Sequence, residues 1–256
     1  MRIVIKIGTS TLAHPTGHLN IRRVEEICKV ISDIKNAGNE VIMVSSGAIG
    51  MGVGKLGLAT RPTDIPTKQA AAAVGQCELM YTYDKLFSEY NHTVGQLLIT
   101  GADIENDTRH QNFSNTMERL IELGTIPIIN ENDTVATEEI VIGDNDTLAA
   151  IVAESVNADL LVLLSDIQGL YTADPHKDAT ARLIHTVTEI TDELYALAGG
   201  GGKQGTGGMI TKLDAAKICL ASGADMIIMN GENPAHLYDI LEGKEIGTRF
   251  IAKKEN

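Results

Sequence analysis

The chain has 256 residues, of which 43% are hydrophobic, and a formal net charge of −13. This length and hydrophobic content are enough for one large α/β domain with a sizeable core. The negative charge repels nucleic acid and anionic membrane surfaces, so we expect neither as a partner, and any anionic substrate must be held by a few local lysines and a metal ion.

The N-terminus runs directly from Met1 into RIVIKIG, without a charged and apolar leader or a membrane-spanning run, so we expect a cytoplasmic protein. RIVIKI is apolar at nearly every position, which predicts a parallel strand covered on both faces. Lys6 interrupts this run near its carboxyl end, just before the bare turn at residues 8–10. Ligands collect at the carboxyl ends of parallel strands, so Lys6 either binds an anion there or extends its ammonium group into water.

A helix is predicted from Ile21 to about Asn36, capped by Asn20 and closed by Gly38. The strand VIMVS follows and ends in a second small-residue turn at residues 45–50, which suggests that the two turns share one site. A GxGxxG pattern occurs at Gly52, Gly54 and Gly57, but it begins well after the strand. We interpret it as a chance match, which weakens the interpretation of the chain as a nicotinamide enzyme.

A long helix with an alanine-rich start is predicted over residues 66–90, followed by the strand HTVGQLLIT, a helix ended by Gly124 and the strand IPIIN. Two clusters of Asn and acidic residues, at 130–133 and 143–146, then flank a predicted hairpin formed by TVAT and EIVI. Such clusters either make local turn hydrogen bonds, form a pocket for an ammonium group, or supply carboxylates that orient lysines.

The second half repeats the alternation of helices and strands, with Ser165 and Asp166 at the carboxyl end of the strand DLLVLLSD. The remaining predicted elements are a strand near LIHTV, helices in TDELYALA and NPAHLYDILEG, and the strands DMIIM and GTRFIAK. This order predicts a three-layer α/β/α sandwich around a mostly parallel sheet.

Residues 199–212, GGGGKQGTGGMITK, contain seven glycines and lead into a predicted helix. Backbone N–H groups without neighbouring Cβ atoms can surround a phosphate, although the run is not a Walker A loop. Lys212 is predicted in the first helical turn, where a cation is unfavourable unless a polyphosphate binds. The alternative is a flexible loop with an incidental lysine.

Six motifs occur in order: IVIKIGTS, VSSGAIGMG, INENDTVAT, IGDNDTLAA, LLSDIQGLYTADP and GTGGMITKLDAA. Together they resemble the amino acid kinase family over residues 2–251. The resemblance implies a single bilobed domain over residues 1–256, with an acceptor lobe at about 1–150 and a nucleotide lobe at 151–256. It also implies a form that lacks the C-terminal RNA-binding-like PUA module of many relatives.

The branch with this motif order transfers the γ-phosphoryl group of ATP to the side-chain carboxylate of L-glutamate, giving L-glutamyl 5-phosphate for proline biosynthesis. A carboxylate is already ionised at neutral pH, so the reaction needs no general base. The obstacle is repulsion, since two unit charges about 4 Å apart repel by roughly 4 kcal/mol at an effective dielectric constant of 20. Cations are therefore required around the transferred group.

The resemblance implies that Lys6 and Lys212 supply these cations and that Asp146 holds them in position. Mg²⁺ would be bound mainly through the nucleotide phosphates, without a separate metal site on the protein. The implied ATP-binding residues are Lys6, Gly8, Ser165, Asp166, Thr206, Gly207, Gly208, Met209, Ile210, Thr211 and Lys212. The implied substrate-binding residues are Ser46, Gly47 and Ala48 for the α-carboxylate of glutamate, and Asp133 and Asn145 for its α-ammonium group.

The resemblance further implies a homo-oligomer, either a dimer or a tetramer, with feedback inhibition by proline and a transient hand-over of product to glutamyl phosphate reductase. Three alternative functions stay open at this point. They are a kinase of the same fold that acts on acetylglutamate, carbamate or uridylate, a nicotinamide dehydrogenase, and an amino acid sensor without catalytic activity.

Overall fold

The computed structural model describes residues 1–14, 18–135, 145–175, 177–199 and 207–253. Within these ranges one sheet has eight strands in the order β3-β4-β2-β1-β5-β7-β8-β6. The strands are β1 (Arg2–Ile7), β2 (Glu40–Ser45), β3 (Val94–Ile99), β4 (Ile126–Glu131), β5 (Leu160–Ser165), β6 (Thr186–Val187), β7 (Asp225–Asn230) and β8 (Thr248–Phe250). All neighbours pair in parallel except β7 and β8, which confirms the predicted mostly parallel sheet.

Helices cover both faces of this sheet, as the alternating order of elements predicted. They are α1 (Thr9–Leu12), α2 (Ile21–Asn36), α3 (Ala48–Leu56), α4 (Ile65–Ser88), α5 (Gly101–Glu105), α6 (Asp107–Glu122), α7 (Asn145–Ser155), α8 (Asp192–Gly199), α9 (Gly207–Ser222) and α10 (His236–Leu241). None of them, within the described ranges, is long and apolar enough to cross a lipid bilayer.

Successive residues of β1 contribute to two separate hydrophobic clusters, because side chains alternate between the faces of a strand. Val4 belongs to the cluster that contains buried residues of α6, α7 and α9. Ile3 and Ile5 belong to the cluster that contains buried residues of α2, α4 and α10. The two clusters confirm the three-layer sandwich.

Local signals explain where the longer helices begin and end. The side chain of Asn20 accepts a hydrogen bond from the Arg23 backbone N–H and so caps α2. Gly38 and Gly124, with φ angles of +91° and +74°, follow α2 and α6 at positions where a left-handed residue ends a helix. The helix predicted over residues 66–90 is α4, which begins behind its Asp64 cap.

The structure corrects the interpretation of residues 8–10 and 45–50 as small-residue turns, because α1 and α3 begin there. Gly47 has a φ of +100° and turns the chain directly from β2 into α3. The GxGxxG glycines occupy α3 and its C-terminal cap. A Cβ atom on Gly52 would overlap the carbonyl of Ala71, and one on Gly75 would overlap the carbonyl of Ala48, so these glycines let α3 and α4 cross in close contact.

Two sequence predictions fall on residues that the structure does not describe. The hairpin of TVAT and EIVI lies mostly within residues 136–144, outside the described ranges. Residues 200–206 of the glycine run, which include Thr206, also lie outside them.

Candidate active site

The carboxyl ends of β2, β1 and β5 lie side by side at the centre of the sheet. The Ser46 backbone N–H donates to the carbonyl of Ile7 at 3.0 Å, and the Gly8 N–H donates to the carbonyl of Leu164 at 3.2 Å. The segments that follow these strands therefore meet at one edge of the sheet, where ligands of open α/β folds are bound.

Lys6 and Lys212 both contact the carboxylate of Asp146. The Lys6 Nζ lies 2.6 Å from Asp146 Oδ1, and the Lys212 Nζ lies 2.8 Å from Oδ2. The exposed fractions of the three side chains are 12%, 10% and 3%, so the cluster is largely shielded from water. Three elements that are distant in sequence, β1, α7 and α9, thus bring two cations to one anion.

Each of the three elements places its charged residue for a physical reason. Lys6 shares the strand face of Val4, which is the face covered by α7 and α9. Asp146 lies in the first turn of α7, where a carboxylate is favoured by the helix dipole.

Because α9 begins at Gly207, Lys212 lies in its second turn, and the prediction of a first-turn lysine was wrong. Its side chain still points back towards the N-terminus and donates to the carbonyl of Gly208 at 3.1 Å.

The electrostatics of this cluster favour an ionised aspartate. Burial raises the pKa of the Asp146 carboxyl, but the adjacent ammonium groups of Lys6 and Lys212 outweigh burial and hold that pKa below its ordinary value. The cluster carries one net positive charge when both lysines are protonated. Contacts within the described residues use one N–H of Lys6 and two of Lys212, which leaves donors on both ammonium groups for an anion.

Gly8 lies against the Lys6 ammonium group. A Cβ atom at this position would be 3.3 Å from the carbonyl oxygen of Leu164 and 3.8 Å from Lys6 Nζ. The missing side chain therefore keeps the backbone beside the ammonium group open to a ligand.

The predicted acceptor residues Ser46 and Asn145 are in direct contact, since Asn145 Nδ2 donates to Ser46 Oγ at 2.7 Å. Gly47 and Ala48 follow Ser46 and form the N-terminal end of the nine-residue helix α3. Asn145 immediately precedes Asp146 in α7, so this pair adjoins the lysine cluster.

Asp133 lies in the turn after β4, and among the described residues it forms no hydrogen bond or ion pair with Ser46 or Asn145. It lies three positions after Asn130, which does contact Asn145 at 3.0 Å. Asp133 is half-buried, and burial raises the pKa of its carboxyl. Asp133 therefore follows the same strand end, but among the described residues it is not hydrogen-bonded to Ser46 or Asn145.

The predicted nucleotide residues occupy the ends of β5 and α9. Ser165 Oγ donates to Asp166 Oδ1 at 3.1 Å. These two residues directly follow Leu164, whose carbonyl accepts a hydrogen bond from the Gly8 backbone N–H. Thr211 Oγ1 donates to the carbonyl of Gly208 at 3.2 Å. Met209 and Ile210 are partly buried against the hydrophobic cluster of α7 and α9, so their side chains have a packing role.

Two buried amide side chains, Gln76 and Asn130, join this site without having been predicted as site residues. Asn130 is 2% exposed and Gln76 is 7% exposed. Asn130 belongs to the polar cluster noted after the fourth strand, whereas Gln76 lies in the long helix predicted over residues 66–90, for which no functional role was inferred. The signal that could have identified Gln76 was a glutamine on the buried face of an alanine-rich helix. A buried amide needs a hydrogen-bond partner, so such a glutamine indicates a polar group nearby.

Within the described residues, no group of three His, Cys, Asp or Glu side chains is arranged to hold a metal ion. The polar groups at the strand ends are lysine ammonium groups, backbone amides, hydroxyls and single carboxylates. This donor set suits an anion rather than a bare divalent cation.

Comparisons with known proteins identify the family of this chain. Residues 1–230 match the amino acid kinase family. A glutamate 5-kinase from Clostridium perfringens is 53% identical over 99% of this chain and 96% of its own length, and one from Listeria monocytogenes is 52% identical over 99% and 94%. Carbamate kinase from Giardia lamblia shares the fold, with a TM-score of 0.70 at 19% identity over 98% of both chains. The chain therefore belongs to the amino acid kinase family and, within it, to the glutamate 5-kinases.

Proposed function

We propose that this chain transfers the γ-phosphoryl group of ATP to the side-chain carboxylate of L-glutamate, which gives L-glutamyl 5-phosphate in the first step of proline biosynthesis. The observation that carries this proposal is the shared contact of Lys6 and Lys212 with Asp146, beside the acceptor pair Ser46 and Asn145. The high identity to glutamate 5-kinases over nearly the whole chain supports the choice of acceptor.

In the proposed reaction a carboxylate oxygen of glutamate attacks the γ-phosphorus in line with the bridging oxygen. The new O–P bond forms as the bond from the γ-phosphorus to that bridging oxygen breaks, ADP leaves, and no proton is transferred. Lys6 and Lys212 stabilise the negative charge on the transferred group. Asp146 fixes the two ammonium groups, and its lowered pKa makes it a poor proton carrier.

The residues at the strand ends fit a nucleotide polyphosphate. We propose that the ammonium groups of Lys6 and Lys212 and the backbone near Gly8, Gly207 and Gly208 contact the phosphates. We assign Ser165 and Asp166 to nucleotide binding, together with the segment from Thr206 to Lys212. Mg²⁺, held mainly by the phosphates, would neutralise part of their charge.

The acceptor pocket is proposed to recognise both ends of the amino acid backbone. Ser46, Gly47 and Ala48 offer a hydroxyl and the N-terminal end of α3 to the α-carboxylate. Asp133 and Asn145 are assigned to the α-ammonium group. An N-acetylated acceptor lacks that ammonium group, so a carboxylate at this place discriminates against it.

We extend the proposal to the organisation of the chain. The acceptor lobe comprises about residues 1–150 and the nucleotide lobe residues 151–256, so the boundary separates β1 from its neighbour β5. The same proposal includes a cytoplasmic homo-oligomer and inhibition by proline at the glutamate pocket. It also includes transfer of the labile acyl phosphate to glutamyl phosphate reductase.

A coupled ADP-release assay tests the activity. The purified chain is given ATP with L-glutamate, N-acetylglutamate, carbamate, uridylate or no acceptor, each with and without Mg²⁺. We expect ADP release only with glutamate and Mg²⁺. Comparable release with another acceptor would reassign the substrate, and glutamate binding without ADP release would indicate a sensor.

A further inference from the structure

The buried amides Gln76 and Asn130 form a continuous hydrogen-bonded chain with the acceptor residues Asn145 and Ser46, which we call the amide relay. Asn130 Nδ2 donates to Gln76 Oε1 at 2.9 Å. Asn145 Nδ2 donates to Asn130 Oδ1 at 3.0 Å and to Ser46 Oγ at 2.7 Å. The relay thus runs from the middle of α4 to the site at which we place glutamate.

The orientation of every amide in the relay follows from one backbone group. The Glu131 N–H donates to Asn130 Oδ1 at 2.9 Å, and a backbone N–H can only donate. Asn130 must therefore present its oxygen towards Glu131 and Asn145, and its NH₂ group towards Gln76. Gln76 accepts the hydrogen bond from this NH₂ group with its side-chain carbonyl oxygen, and so holds the Asn130 amide in the same orientation from the opposite side.

The fixed orientation determines what the acceptor pocket offers to a ligand. Asn145 Nδ2 donates to Asn130 and Ser46, with a longer contact of 3.5 Å to the Ser45 carbonyl, and among the described residues Asn145 Oδ1 is left as an acceptor. Ser46 Oγ accepts from Asn145, so its hydroxyl hydrogen remains available as a donor. An acceptor beside a donor matches the ammonium and carboxylate groups of a free α-amino acid.

The backbone next to Gln76 packs directly against the start of α3. The neighbouring Gly75 lies against the Ala48 carbonyl, where a Cβ atom would overlap it, and Ala48 begins the helix that follows Ser46. Gln76 and the Ser46 segment are therefore positioned relative to each other by direct backbone contact between α3 and α4.

We propose that Gln76 is a positioning residue for the acceptor pocket: through Asn130 it keeps the amide of Asn145 oriented so that Asn145 Oδ1 accepts from the α-ammonium group of the substrate. This inference rests on the proposed function for the identity of the substrate. Gln76 itself does not touch the substrate, and its role is to maintain selectivity for a free amino group.

The test compares glutamate with glutarate, which has the same carboxylates but no amino group. Gln76→Met removes the acceptor at similar volume, and Gln76→Glu retains an acceptor. Tyr83→Phe is the matched control, because it removes another buried hydrogen bond of α4, the 2.8 Å contact of the Tyr83 hydroxyl with Ser45 Oγ, which lies outside the relay. For each variant kcat/KM is measured with both acceptors, together with the melting temperature and the KM for ATP.

We expect the preference for glutamate over glutarate to fall by about tenfold in Gln76→Met, roughly the effect of one hydrogen bond to a charged group. The preference should be retained in Gln76→Glu and in Tyr83→Phe, with the KM for ATP unchanged in all three. Equal losses with both acceptors in Gln76→Met would show a purely structural role and overturn the proposal.

Two further outcomes remain decisive. If Gln76→Met does not fold, loss of the glutamate preference in a folded Gln76→Glu variant would overturn the proposal, and its retention would support it. If the unmodified chain does not phosphorylate glutamate, the proposed function is wrong, and the role of Gln76 is tested separately by calorimetric binding of glutamate and glutarate. Weaker binding of glutamate alone in Gln76→Met would then support the role of Gln76. Equal binding of glutamate and glutarate by the unmodified chain would overturn it.

Discussion

Lys6 of β1 and Lys212 of α9 bind opposite oxygens of one buried carboxylate, that of Asp146, at 2.6 Å and 2.8 Å. Two lysines this close would repel each other without the intervening anion. Asp146 therefore allows the fold to keep two ammonium groups beside the carboxyl ends of β1 and β5. We propose that these ammonium groups let two negatively charged reactants meet.

Asp146→Asn should destabilise the folded chain by about 3 kcal/mol, since it leaves two buried ammonium groups without their shared counter-charge. Urea unfolding at neutral pH measures this loss. Glu78→Gln is the control, because its partner Lys55 is 58% exposed and water screens such a surface pair, so that it contributes little to stability. A loss in Asp146→Asn no larger than in the control would contradict the structural role assigned to Asp146.

The stabilisation by Asp146 should also depend on pH in a defined direction. Because the pKa of this carboxyl is lowered in the folded chain, its contribution is complete above the unfolded pKa of about 3.9 and is lost as pH falls through the lower folded value. We expect the stability difference between the unmodified chain and Asp146→Asn to be constant from pH 7 to about 5 and to shrink below about 4. A difference that grew on acidification would contradict this sign.

Asp133→Asn should raise the KM for glutamate at least about tenfold and leave the KM for ATP nearly unchanged, because a charged partner of the α-ammonium group is lost. Burial raises the pKa of Asp133, so acidification should raise the glutamate KM of the unmodified chain at a higher pH than an ordinary aspartate would. Steady-state kinetics as a function of pH measures both effects. Glu131→Gln, which removes the neighbouring half-buried carboxyl, is the control, and an equal response of the two variants would move the ammonium site elsewhere.

Gly52→Ala should destabilise the chain by about 3 kcal/mol or prevent folding, because the new methyl group would overlap the Ala71 carbonyl at the crossing of α3 and α4. Gly50→Ala in the same helix meets only Thr9 Cγ2, at 3.8 Å, and should be neutral or stabilising by up to about 1 kcal/mol. Thermal unfolding of the two variants measures the contrast. Similar melting temperatures would show that the helices do not cross this closely.

The predicted sheet and most long helices agree with the structure because their signals are local. RIVIKI and DLLVLLSD are apolar on both faces, as central parallel strands must be, and Asn20 and Gly38 mark the ends of α2 chemically. Strand order is not a local property. The antiparallel pairing of β8 with β7 and the adjacency of β1 and β5 depend on crossovers that no single segment encodes.

The missed helix α3 shows where local propensity was misleading. Its glycines favour a turn when the segment is considered alone, yet Gly52 is required by the close approach of α4. The candidate site was predictable in part for a similar reason. Lys6 and Lys212 stood out as charges beside small residues, whereas nothing near Gln76 in the sequence marked it as a site residue, because its partner Asn130 is distant in sequence.

The rate of phosphoryl transfer in Lys6→Ala and Lys212→Ala is the decisive measurement for the proposed role of the two lysines. Single-turnover transfer from ATP to glutamate should slow by roughly 100-fold or more in each variant, while the Kd for ATP changes far less, since the lysines act mainly in the transition state. Lys217→Ala, which removes an exposed lysine from the same helix α9, should transfer at the normal rate. Near-normal transfer in both Lys6→Ala and Lys212→Ala would contradict the account.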